Sequence, residues 1–385
     1  MEFKSTLSTS NDPQQMIHQL TGRCGSDFDM GVLFITPHQE SHIQIIVQGI
    51  QEKVKIQNFL ACTCAGIIGS QAELENQTAA SLFLAKLPKV KIKPFYIDQE
   101  HIENLFLDED FYELFEIYPN ENPVFMIFPD PFRVDLNRFI LGMNNAYGAS
   151  PVVGGLASGS ASANGNLLML NGQSYNHGII GMVMTGDIKI DTIVSQGCKP
   201  IGESYIVTKA ENNIIYEIAG EPFLDVLRKI FVKLSENERR LVQQALLIGI
   251  VMDEYKHGFN RGDFIVRSVI GVDQETGAVA IGDIINPGQT IQIHIRDAKT
   301  AEEDLNQLLA VYKEKNKAST PQGAFVFSCN GRGLSLFGEP DHDIKLIQKY
   351  IGPIPAAGFF CAGEIGPVGG RNFLHGFTDS IVVFS

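Results

Sequence analysis

The sequence predicts an α/β protein, built of mixed sheets backed by helices and arranged as two intimately packed, duplicated lobes. Three observations carry that prediction. Strand and helix signals alternate along the whole chain, and the order strand, helix, strands, helix, strands occurs in both halves. A glycine turn is written twice, as CAGIIG from Cys64 and as CAGEIG from Cys361, differing at one position. At 385 residues the chain also exceeds one typical core and suits two domains of roughly 150–200 residues each.

The elements follow in order. MGVLFIT (30–36) is a continuous apolar run, as in a buried strand. A helix is expected from His42 to about Lys53, and VKIQNFLACTCAG reads as a strand entering the first glycine turn. In KVKIKPFYI, Lys89, Lys91 and Lys93 alternate with Val90 and Ile92, the mark of a strand with one buried face. IENLFLDEDFYELFEI has helical spacing at Ile102, Leu105 and Phe106; PVFMIF (123–128) is a buried strand, and a helix is expected over 133–145. Residues 151–195 read as an antiparallel meander punctuated by Gly and Asn. TIQIHIR (290–296) sets Ile291, Ile293 and Ile295 on one strand face, with His294 on the polar one. Leu305, Leu308, Leu309 and Tyr312 space an amphipathic helix, and Ile344, Ile347 and Ile351 a second, opened by EPDHD. The predicted organisation is an N-terminal segment 1–29, one lobe over 30–212 and another over 213–385. The boundary falls in GCKPIGESYIVTKAENN, where Gly, Pro and polar residues cluster.

Composition excludes several functions. Thirty basic residues against 44 acidic ones leave a formal charge of −14, the wrong sign for releasing counterions from nucleic acid. The longest apolar run, ALLIGIVM (245–252), falls well short of the ~20 residues that span a bilayer. The start lacks the apolar core of a signal peptide. Six scattered cysteines without CxxC spacing predict reduced thiols in a cytoplasmic protein.

SCNGRGLSLFG (328–338) and CAGEIGPVGGRNFLHGFT (361–378) hold the densest polar residues. Together with DPFRVDLNRFILGMNNAYGASPVVGGLASG, and with the junction GCKPIGESYIVTKAENNIIYEIAGEPFLDVL, this ordered series resembles the FIST domain family from about Met30 onward. The resemblance implies an N-terminal and a C-terminal FIST domain and a sensory role in signal transduction, with amino acids suggested as ligands. It also implies that some members bind haem, sense nitric oxide and report to a histidine kinase or a cyclic-di-GMP enzyme. Eukaryotic members carry an F-box, for which fewer than 30 residues precede the first expected strand. With no kinase or cyclase in the chain, output is expected to pass to a separate protein. The family's glutamate after the turn is present at Glu364, whereas the first copy has Ile67.

Arg332, between Gly331 and Gly333, suits bidentate capture of a carboxylate or phosphate. Glu364 suits an ammonium, and Cys361, Arg371, Asn372, His375 and Thr378 lie near in sequence. Two readings stand side by side: a site for an amino-acid-like ligand, or an Arg332–Glu364 pair that locks two turns together. Cys361 with His375 and Glu364 could form a nucleophile, base and orienter, but a buried cysteine in the apolar run GFFCAG is the preferred reading. No neighbouring Cys/His pair completes a tetrahedral set with Cys62 and Cys64, so no structural zinc is expected. Haem would need an axial donor in an apolar pocket; His375, His177, His257 and His294 are the candidates, and without CxxCH attachment would not be covalent. VVGGLASGSASANG (152–165) lacks both GxGxxG and GKS/T, against a nucleotide loop. The expectation is a small-ligand sensor that is not an enzyme. A haem-based nitric-oxide sensor, a Cys/His- or Glu-dependent enzyme and a ligand-free scaffold are the alternatives.

Overall fold

The computed structural model describes residues 1–22, 24–317 and 319–385, and its strands repeat one pattern three times. The first passage runs β1 (Glu2–Ser8), α1 (Pro13–Thr21), β2 (Asp27–Ile35), α2 (Ile43–Lys53), β3 (Lys55–Thr63), β4 (Gly66–Gly69), β5 (Glu73–Glu75) and β6 (Ala80–Lys86). The second runs β7 (Val90–Ile97), α3 (Gln99–Glu103), α4 (Asp108–Phe115), β8 (Val124–Pro129), α5 (Leu136–Tyr147), β9 (Val152–Gly155), β10 (Leu168–Leu170), β11 (Gln173–Tyr175) and β12 (Ile179–Gly186). The third opens with β13 (Ile190–Gln196). It continues, after an insertion, with α8 (Ala298–Lys315), β21 (Gly323–Cys329), α9 (Leu334–Phe337), α10 (His342–Ile351), β22 (Ala356–Cys361), β23 (Glu364–Val368), β24 (Arg371–His375) and β25 (Thr378–Phe384). The insertion holds β14 (Cys198–Glu211), β15 (Ile214–Ile218), β16 (Glu221–Pro222), α6 (Phe223–Lys233), α7 (Glu236–Gln244), β17 (Leu246–Val251), β18 (Phe264–Val272), β19 (Val279–Ile281) and β20 (Thr290–Arg296).

Each passage builds a six-stranded sheet of the same plan: β1-β6-β2-β3-β10-β11, β7-β12-β8-β9-β23-β24 and β13-β25-β21-β22-β4-β5. At the centre of each lies a parallel pair, β2–β3, β8–β9 or β21–β22, joined through a helix as parallel pairing requires. The last hairpin of every sheet comes from another passage. The first passage donates β4–β5 to the third sheet, the third donates β23–β24 to the second, and the second donates β10–β11 to the first. The CAG turns are the crossing points, taking the chain from β3 to β4 and from β22 to β23. Strand register aligns a third member with them, Ala157-Ser158-Gly159 after β9. The doubled turn of the sequence therefore belongs to a threefold pattern. Residues 151–195, expected as a meander, instead supply strands to all three sheets, because the donated hairpin pairs with residues about a hundred positions away.

The inner faces of the three sheets share one apolar core. Phe34, Phe128 and Phe327, equivalent by register, meet there with ring centroids 5.4, 6.3 and 5.9 Å apart. The outer faces carry separate layers, with α1 and α2 on the first sheet, α4 and α5 on the second, and α8 and α10 on the third. In Gly154, φ is +144° and a Cβ would overlap the Ile127 carbonyl oxygen, so glycine is required there.

Two compact units result: residues 1–194 with 305–385, and residues 195–304. This division differs from a cut at 212/213, because β21, β22 and β25 share a sheet with β4 and β5. Residues 1–29 already contain β1 and α1, and β1 pairs with β6 over seven residues. The second unit is a seven-stranded sheet, β14-β20-β17-β18-β19-β15-β16, covered by α6 and α7. Ile291, Ile293 and Ile295 face its core as expected. His294 is buried rather than on a wet face, since its ring packs on Phe264 at 5.0 Å and against Gly249. Among the described residues no helix is long and apolar enough to cross a membrane.

Candidate functional site

The threefold pattern supplies its own internal control. Where Ile35 faces Ala80 in the first sheet and Pro129 faces Ile179 in the second, Ser328 faces Asp379 in the third. The donated hairpins place Glu73 in the third sheet where Leu374 stands in the second and Ser174 in the first. The layer between sheet and helices is thus largely apolar at this level twice and charged once. The fold itself does not need a polar group there.

Arg332 is completed by that layer. It follows β21, is fully buried, and donates Nε to Asp343 Oδ2 at 2.7 Å and Nη2 to Asp343 Oδ1 at 2.9 Å. Asp343 lies in the first turn of α10. It also meets His342 Nδ1 at 3.0 Å and accepts from Ser328 Oγ at 3.4 Å. The guanidinium lies 5.3 Å from the Phe337 ring, which stacks on His342. Among the described residues its Nη1 has no hydrogen-bond partner, nor has either oxygen of Asp379 or Oε2 of Glu73, all of them buried.

Burial works against every charge in this cluster. Asp343 is nonetheless held well below the usual carboxylate range by the Arg332 charge and by hydrogen bonds from His342 and Arg332. Burial pushes Asp379 well above that range, and the Asp343 charge adds to the push despite Arg332. Burial, then the Asp343 charge, raises Glu73 to about 8. Within the cluster one ion pair thus stands beside two carboxyls whose burial favours the protonated form.

The cover is the stretch 333–341. Leu334, Ser335, Gly338, Glu339 and Pro340 are exposed, while Gly333, Gly338 and Asp341 have φ of +61°, +72° and +62°. Both ends are tied to β5. Glu75 Oε1 accepts from the Leu334 N–H at 2.8 Å, and Asp341 Oδ1 accepts from the Glu73 N–H at 2.8 Å.

The remaining expected site residues are distributed differently. The partner of Arg332 is Asp343, not Glu364. Glu364 aligns with Ile67 on the opposite sheet face and accepts from Thr378 N at 3.0 Å and Oγ1 at 2.8 Å. His375 Nε2 lies 2.9 Å from the Gly366 carbonyl oxygen. Asn372 is structural: it accepts from the Val152 N–H at 2.8 Å and donates Nδ2 to Asn144 and to the Ser150 carbonyl. Arg371 is exposed at the start of β24. Cys361 is fully buried, and burial, then the Glu364 charge, pushes its thiol well up. A protonated thiol away from solvent is not poised for attack. The sulfurs of Cys62 and Cys64 are 3.6 Å apart, since residues i and i+2 of an extended chain share one face. Among the described residues no His, Cys, Asp and Glu group is arranged to hold a metal.

The four candidate histidines do not fit haem. His177 is half-buried beside Asn176, and His257 is exposed. His375 is committed to a strand carbonyl. The packed ring of His294, pushed by burial down to about 4, leaves no room for a porphyrin.

Asp343, Asp379 and Glu73 were not singled out from the sequence. Asp379 carried the clearest signal, a lone charge opening the apolar strand TDSIVVF.

Comparison with known proteins agrees with the motifs. The FIST N domain matches residues 29–221 and the FIST C domain residues 224–367. An uncharacterized protein of Mycobacterium tuberculosis H37Rv is 36% identical over 348 residues, covering 90% of this chain and 88% of its own. An uncharacterized protein of Methanocaldococcus jannaschii is 21% identical over 365 residues, 86% of this chain and 69% of its own. An F-box/LRR-repeat protein of Arabidopsis thaliana is 36% identical over 204 residues, 46% of this chain and 37% of its own.

Proposed function

Since the chain belongs to the FIST family, which is associated with signal-transduction sensing, we propose that it is a small-ligand receptor whose site is the Arg332 cluster. The observation that carries this reading is the charged third layer, with a guanidinium nitrogen and both Asp379 oxygens left without partners. Such groups cost stability when buried unsatisfied, and the register equivalents of Ser328 and Asp379 in the other two sheets are apolar.

The ligand class follows from the free valences. Nη1 of Arg332 offers a donor to a carboxylate, while Asp379 and Glu73 offer acceptors to an ammonium once deprotonated. A free amino acid presents both ends. Entry requires the 333–341 cover to leave β5, and the open and closed covers are the two states a separate partner would read. Binding rather than turnover is proposed, since the buried thiol of Cys361 is protonated.

The test is calorimetry and native mass spectrometry with a panel of the twenty L-amino acids. At least one should add its mass to the wild type, release protons measurable in buffers of differing ionisation enthalpy, and fail to bind Asp379→Ala. No binding across the panel, or binding retained in both Asp379→Ala and Arg332→Met, would sink this reading.

A further inference from the structure

A second feature lies on the outer face of the second sheet's helices. Residues 98–121 carry nine carboxylates and no lysine or arginine, the greater part of the chain's −14. Within this acidic stretch Phe106 is 75% and Leu107 63% exposed, and Leu141 on α5 is 53% exposed. Large apolar side chains exposed together in such a setting mark an interaction surface.

They border the first of two concavities that share Leu105. This one, of about 140 Å³, lies between α4 and α5 over Phe111 and Phe139. The other, of about 480 Å³, is rimmed by Glu100, Asp110 and Glu113. The shape is fixed from beneath. Phe111 fills the space a side chain on Gly142 would need, and Arg138 donates to the Glu103 carbonyl at 3.1 Å while lying 5.4 Å from the Phe106 ring.

We infer that this face docks a basic amphipathic helix of a partner protein. An apolar stripe flanked by carboxylates is matched by a helix with an apolar stripe flanked by lysines or arginines. The acidic field would also speed the encounter and set the partner's sign. Nucleic acid and anionic membrane are repelled by the same charge. The surface is independent of the Arg332 cluster, so either reading can fail alone.

The probe is a synthetic 18-residue Leu/Lys peptide with leucines at i, i+3, i+4 and i+7, with a Leu/Glu peptide of the same pattern as control. Anisotropy is read on the full chain, and hydrogen exchange locates the contact. The Leu/Lys peptide should bind, weaken with added salt, protect residues within 98–147, and lose tenfold or more in affinity to Phe106→Ser and to Glu113→Lys. Both positions are exposed, and circular dichroism confirms the fold of each variant. Three results would overturn the inference: binding that falls with salt yet ignores both substitutions, equal binding of the Leu/Glu control, or protection of this face by self-association of the chain without peptide.

Discussion

Replacing Glu73 with Gln should flatten the decline of this protein's stability between pH 6.5 and 8. In the folded chain burial, then the Asp343 charge, pushes this carboxyl from an ordinary 4.5 up to about 8. The native state therefore holds a proton that the unfolded chain has released. Its stabilisation is complete below the unfolded value and is lost as pH rises toward 8, at about 1.4 kcal/mol per pH unit. Asp379, also raised, contributes with the same sign. His294 has the opposite sign, but its folded value of about 4 against 6.5 confines its effect to lower pH. Above pH 6.5 only the raised carboxyls of this group remain in play. The variant should lose the Glu73 slope, a difference of at most about 2 kcal/mol across the window. Gln keeps the oxygen that accepts from the Ile344 N–H at 2.8 Å, so the N-terminus of α10 stays capped. Urea unfolding followed by far-UV circular dichroism is the assay, since the chain has no tryptophan. Equal slopes in wild type and variant would refute the desolvated-carboxyl account.

Asp379→Ala restores the residue type of Ala80 and removes a carboxyl without partners; stability at pH 7.5 should rise by about 1–3 kcal/mol, and a lowered urea midpoint would contradict this. Arg332→Met leaves Asp343 buried without its counter-charge and should cost about 3–5 kcal/mol. Adding Asp343→Leu should recover much of that loss, whereas additive losses in the double-mutant cycle would show that the pair is not coupled. Gly154→Ala meets both a positive φ and the Ile127 carbonyl, so a loss of at least about 2 kcal/mol is expected; a neutral result would place the strand differently.

Sequence alone determined the local elements and the neighbourhood of the site. The apolar runs at β2, β8 and β17, and the spacing in α8 and α10, reflect side-chain periodicities that a strand or helix imposes wherever it ends up. Arg332 between two glycines was legible for the same local reason. Tertiary structure decided which groups surround it. Asp343 reaches Arg332 from eleven residues away, Glu73 arrives on a hairpin donated by the first passage, and Asp379 comes from a strand paired antiparallel to β21. Glu364 looked like the natural counter-charge, yet register turns it to the inner face, where Thr378 holds it. The third member of the repeat was hidden because the hairpin exchange conserves strand pairing and close backbone approach, while Ala157-Ser158-Gly159 retains only the glycine. Pairing partners are chosen by burying the inner faces of three sheets at once, a long-range free energy that no window of sequence contains.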